Sequence, residues 1–136
     1  MRTIDREFAY AVFRRFIDAV SAVDCSTLQT IATSDVHVEV PGTRSAYITN
    51  DGTGLDALCA WTRRVYMECG KLEFEPHRLF DNGNELMTAG IITIEHHPHT
   101  FKSLCLTYVC FEDGKIAKFQ LLLDTFALQK FHGEAD

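Results

Sequence analysis

No apolar run in this 136-residue chain approaches the roughly 18 residues that a membrane-crossing helix needs. Its first residues, Met1 to Glu7, are polar and lack the apolar core of a secretion signal. We therefore expect a soluble, cytoplasmic protein with no membrane partner. Positive charge is also in short supply: 13 Lys and Arg stand against 19 Asp and Glu, a formal charge of −6. Without a basic stripe to neutralise phosphates, nucleic acid is excluded as a partner. The five cysteines (Cys25, Cys59, Cys69, Cys105 and Cys110) are an odd number with no Cys-x-x-Cys pair. That spacing argues against a disulfide framework and a zinc knot, and leaves them as small core hydrophobes. There is no Gly-rich phosphate loop, no Ser/His/Asp or Cys/His arrangement, no internal repeat and no linker, so no cofactor is expected.

What the chain does have is apolar surface. A hydrophobic content of 46% in 136 residues fits one domain, residues 1–136, around one core. Ile4, Phe8, Val12, Phe16, Ala19 and Val20 recur at helical spacing from residue 3 to about residue 22. Asp24 and Ser26 are suited to cap a short second helix through Leu28 and Ile31. Val36 to Val40 alternates as a strand until Pro41-Gly42 stops it, and a loop rich in turn formers follows. A third helix opens near Thr53 or Gly54, carries Leu55, Leu58, Trp61 and Val65 on one face, and ends at Gly70.

The helical period then gives way to a meander of strands over 71–80, 85–95, 100–112 and 115–123. These are separated by Asp81 to Asn84, by His97-Pro98 and by Asp113-Gly114, and a short helix over 125–131 closes the chain. The plan is α+β: three N-terminal helices packed in a strongly curved, mostly antiparallel sheet that forms a cone with an apolar interior.

Several short stretches carry a resemblance: Val23-Asp24, Val38 to Gly42, Gly54 to Leu58, Asp113 to Ile116, and Leu123 to Thr125. With the order of elements they resemble the nuclear transport factor 2-like superfamily, and within it the SnoaL-like polyketide cyclases and ketosteroid-isomerase-like proteins. The resemblance spans nearly the whole chain. It implies a cone-shaped fold, a small apolar ligand and a homodimer formed through the sheet. It also shows departures. Where a ketosteroid isomerase places its aspartate base this chain has Val40, and where it places an oxyanion-binding tyrosine this chain has Phe16. The Arg-x-Asp pair of limonene-epoxide-hydrolase-like members is absent from every strand. Asp124 alone matches, as the carboxylate that SnoaL-like cyclases use as general acid or base.

The candidate catalytic residues are thus Asp124 as proton carrier and Tyr108 as hydrogen-bond donor, with Phe16, Val40, Trp61, Phe119 and Leu121 as walls of the pocket. A carboxylate beside Leu121 to Leu123 and Phe126 would have its neutral form favoured by desolvation. A second reading makes Asp124 the cap of the final helix. An unbroken alternation from a two-residue turn at Asp113-Gly114 sets Phe119 opposite Tyr108 and Leu121 opposite Leu106, with Tyr108 inside the cone. The same alternation places Asp124 on the Lys118, Gln120 and Leu122 face, so that it turns inward only after a bulge. On the convex side Leu122, Val109 and Cys105 offer a dimer surface. His96, His97 and His99 around Pro98 read as an exposed loop, and His37 with Glu39 as a solvated or interfacial pair, so no metal is expected. Two functional classes remain open: an acid/base enzyme on an apolar cyclic molecule, or a binding or association module of the same fold without chemistry.

Overall fold

The computed structural model describes residues 5–42 and 48–135. The expected start of the first helix at residues 3 and 4 lies outside them, as do residues 43–47 of the turn-forming loop. Helix α1 (Arg6–Ala22) is followed by α2 (Cys25–Ile31), β1 (Ala32–Val40), β2 (Asn50–Thr53) and α3 (Leu55–Arg64). A single wider-wound π turn, Val65–Cys69, extends α3 before β3 (Lys71–Asn82), β4 (Glu85–His96), β5 (His99–Glu112), β6 (Lys115–Leu122) and α4 (Thr125–Ala135). The six strands form one mixed, curved and unclosed sheet in the order β2-β1-β6-β5-β4-β3, with only the β1–β6 pair parallel. The meander is as expected from the sequence. β2 and the four additional residues at the start of β1 are not.

Local chemistry explains the boundaries. The Asp24 carboxylate accepts from the Thr27 amide at 3.2 Å, the Thr27 hydroxyl at 2.6 Å and the Ser26 hydroxyl at 2.9 Å, which starts α2. Gly70 ends the π turn at φ 118, and a Cβ there would collide with the Glu95 carbonyl, so only glycine lets β3 leave beside β4.

α1 lies in the concavity, with Phe13 and Phe16 both fully buried. Phe13 meets Phe74 edge to face at 5.8 Å, and Phe16 packs on Phe119 at 4.8 Å. The helix also covers the open edge at β3: Arg6 donates to the Leu79 carbonyl at 3.2 Å, Arg14 to the Phe74 carbonyl at 3.1 Å, and Ser21 to the Leu72 carbonyl. These donors are about two helical turns apart and therefore share one face. The opposite edge is the four-residue β2, held where Arg64 donates to the Thr49 carbonyl at 2.9 Å and the Trp61 indole to the Ile48 carbonyl at 2.8 Å.

Candidate functional site

Strand alternation assigns each sheet residue to a face, and one extra residue changes the assignment predicted from the sequence. Between Cys110–Lys118 and Phe111–Ile116 the register slips by one, so Ala117 is left over as a bulge. Phe119 therefore faces Val109, Leu121 faces Thr107, and Tyr108 faces Gln120. The expectation that Phe119 pairs with Tyr108 and Leu121 with Leu106 is corrected, and with it the position of Tyr108. Its side chain stands on the outer face, where its hydroxyl donates to the Glu85 carboxylate. The same slip moves two expected convex residues indoors: Val109 is fully buried and Cys105 is 4% exposed, its thiol pushed up to about 12 by burial.

The interior is apolar. Ile17, Trp61, Phe74, Phe119, Leu121 and Thr107 are among the residues around a central hollow of about 10 Å³, the volume of a single water-sized probe. Phe119 packs at a tilt between Phe16 and Trp61, the latter ring centred 6.1 Å away. Val40 is buried at the end of β1. The five expected wall residues are thus all buried in one core, and Trp61, Phe119 and Leu121 border the hollow directly. Polarity enters through two neighbouring threonines that sequence reasoning missed, Thr88 and Thr107, which pair across β4 and β5. Both are buried; the Thr107 hydroxyl reaches the Thr88 carbonyl at 3.5 Å, while the Thr88 hydroxyl has no hydrogen-bond partner among the described residues. An unbroken two-residue alternation hid Thr107, and only recognition of the bulge could have revealed it.

Asp124 stands at the strand-to-helix junction and is exposed. Its carboxylate accepts from the Ala127 amide at 2.9 Å, and its own amide donates to the Ser103 hydroxyl at 3.4 Å. The geometry is that of a helix cap. Asp124 and Tyr108 are therefore not brought together with the hollow or its walls.

The outer face carries both polar ladders and bare leucines. On β1 and β2, ligand atoms of His37, Glu39 and Asp51 lie within 4.8 Å of one another, the one such trio among the described residues. His37 contacts Asp51 at 3.1 Å through Nε2 and the Thr53 hydroxyl at 3.0 Å through Nδ1, and Glu39 accepts from the Gln120 amide. The trio could bind a cation, but its groups already hold protein partners and are partly exposed. Of the three expected loop histidines, His97 is exposed and the other two meet rings of α4. His96 packs against His132 of α4 with rings 5.5 Å apart, and His99 lies against Phe131. Further along the outer face Leu104, Leu106 and Leu122 are 77%, 43% and 49% exposed. With Arg78 and Ala89 they line a shallow groove of about 570 Å³.

Helices cradled by a curled mixed sheet with an apolar interior define the cone-shaped, nuclear transport factor 2-like class of α+β protein. Within that class the chain belongs to the SnoaL-like domain family, which matches residues 13–119. No curated protein matches the chain by sequence. Among solved structures it is similar to an NTF2-like protein of unknown function from Burkholderia pseudomallei, at 18% identity and a TM-score of 0.79 over 90% of this chain and 95% of that one. It is also similar to TerC co-crystallised with polyporic acid, at 14% identity and 0.81 over 93% and 98%. An LEH-like epoxide hydrolase from M. tuberculosis gives 18% identity and 0.74 over 95% and 92%. At such identities the likeness is one of fold. No helix of the described residues is long and apolar enough to cross a membrane.

Proposed function

We propose that this SnoaL-like domain is a non-catalytic association module, a homodimer formed through the outer face of its sheet. One observation carries the reading: Leu104, Leu106 and Leu122 are exposed side by side on the convex face, around a groove of about 570 Å³, whereas the central hollow of the interior measures about 10 Å³. Exposed leucines side by side on a rigid sheet favour a partner surface of the same kind. The face also carries Arg78 and Lys118 beside Glu39 and Glu85, and both signs on one patch suit a two-fold, self-complementary contact. Among the described residues that line the hollow, Thr107 offers a hydroxyl, and there is no carboxylate, imidazole or phenol to move a proton. Sedimentation velocity at micromolar concentration tests the reading. A dimer that becomes a monomer in Leu104→Asp and Leu122→Asp supports it, and a wild-type monomer sinks it.

A second reading, a small apolar ligand inside the cone, draws on the unpaired Thr88 hydroxyl beside Thr107 and on the ligand seen with TerC. Such a ligand would carry a hydrogen-bonding oxygen and would have to displace Trp61 or Phe119 to enter. Thermal-shift titration with polyporic acid checks this. A shift abolished by Thr107→Val favours it, and no shift removes it.

A further inference from the structure

The convex face carries a second feature besides its leucines. His37 and Glu39 lie two apart on β1 and share a side, while Thr53 and Asp51 of β2 pair directly across from them. From the sequence His37 and Glu39 make only a pair; β2, which becomes a strand by pairing with β1, supplies the third donor. One rigid ladder thus holds an imidazole and two carboxylates on a single face. The partners these groups already have leave ligating atoms available. The Thr53 hydroxyl meets Nδ1 of His37 at 3.0 Å, which orients the ring with Nε2 toward Asp51 at 3.1 Å. Gln120, beside Glu39 in the β1–β6 register, donates to one oxygen of that carboxylate and leaves the other. Outer contacts of this kind hold metal ligands in place.

The imidazole nitrogen and the carboxylate oxygen are both electron-rich, so a positive species has to stand between them, either a proton or a metal ion. An ion about 2.1 Å from each would subtend them at roughly 95–100°, between the octahedral and tetrahedral angles. All three ligand atoms lie within 4.8 Å of one another, whereas two atoms bound to one ion stand at most about 4.2 Å apart. A small rotation of the exposed Asp51 side chain closes that difference.

We propose that His37, Glu39 and Asp51 bind one divalent transition-metal cation such as Zn2+ on the outer face of the β1–β2 ladder. The imidazole selects against Ca2+ and Mg2+, which favour oxygen donors. The two carboxylates offset the charge of the ion. Lys118, the β6 neighbour of His37, works against it, so the affinity is expected in the micromolar range. Three protein donors from one side leave the solvent side of the ion to water, an open coordination rather than a closed structural one. The ion also fastens β2, a four-residue edge, to β1. All three donors come from one chain, and the site stands whether or not the outer leucines meet a second copy.

The test strips the full chain with EDTA, removes the chelator and titrates zinc chloride by calorimetry. One equivalent is expected to bind, with a rise in Tm that EDTA reverses. Asp51→Asn and His37→Gln are expected to keep the metal-free Tm and to weaken binding by more than about tenfold, and Thr53→Val, which releases Nδ1, by about tenfold. Leu104→Asp is expected to take up zinc as the wild type does, so a monomeric chain and a missing metal site read out separately. Histidines and cysteines elsewhere are the rivals for the ion. Zinc uptake that Asp51→Asn and His37→Gln both leave intact assigns it to them and overturns the proposal. So does a wild-type chain that binds none at millimolar zinc, or a Leu104→Asp chain that has lost the site.

Discussion

The two faces of the sheet use apolar residues in opposite ways. On the concave side Phe119, Thr107, Val109 and Ile92 are buried, and the central hollow measures about 10 Å³. On the convex side Leu104, Leu106 and Leu122 stand in solvent beside ladders of charge, and the groove between them measures about 570 Å³. Both faces come from the same strands, one residue apart. What differs is the covering element, since three helices fill the inside and nothing of this chain among the described residues shields the leucines. A buried aromatic stabilises the monomer it sits in, whereas an exposed leucine stabilises nothing until another surface arrives.

Substitution on each face should separate these roles. The largest effect is expected from Phe119→Ala, which removes the ring between Phe16 and Trp61 and opens a cavity. We expect a loss of about 3–5 kcal/mol in urea unfolding. A loss under 1 kcal/mol would mean that the interior is looser than its packing implies. Leu104→Asp should act almost wholly on association, weakening the dimer tenfold or more while changing the stability of the isolated chain by about 0.5 kcal/mol or less. Equal damage to fold and association would erase the contrast between the faces.

Smaller effects concern the two aspartates that open helices. Asp124→Ala should cost about 0.5–2 kcal/mol and Asp124→Asn almost nothing, because asparagine accepts from the Ala127 amide equally well. A large loss in the asparagine variant would point to a need for the charge itself. Asp24 is held below the usual carboxylate range by the Thr27 hydroxyl first, then the Thr27 amide and the Ser26 hydroxyl. A depressed folded value means that its contribution is present above the ordinary value of 3.8 and is lost as pH falls through the folded one. Thermal melts of Asp24→Asn and wild type should therefore differ near pH 6 and converge at strongly acidic pH.

Much of the architecture was legible because its signals are local. The 3.6-residue period of α1, the Asp24 cap, Gly70 and the turn pairs at Gly83 and Gly114 each determine a nearby bond or dihedral, and the structure has them where expected. The site was less legible. Ala117 is neither glycine nor proline, so nothing in its chemistry announces a bulge. One surplus residue exchanged Tyr108 for Thr107 on the inner face and drew Val109 and Cys105 in with it. β2 escaped because Asn50-Asp51-Gly52-Thr53 reads as a turn and becomes a strand only by pairing with β1.

The clasp of Arg6, Arg14 and Ser21 on β3 has a further result. Carbonyls along a sheet margin invite foreign strands, and such recruitment can run on without limit. With those acceptors occupied and the other margin cut to four residues, both margins offer a poorer template for a foreign strand. In the proposed dimer the contact is broadside instead, where a two-fold embrace would use up the sticky patch and growth would halt at a pair.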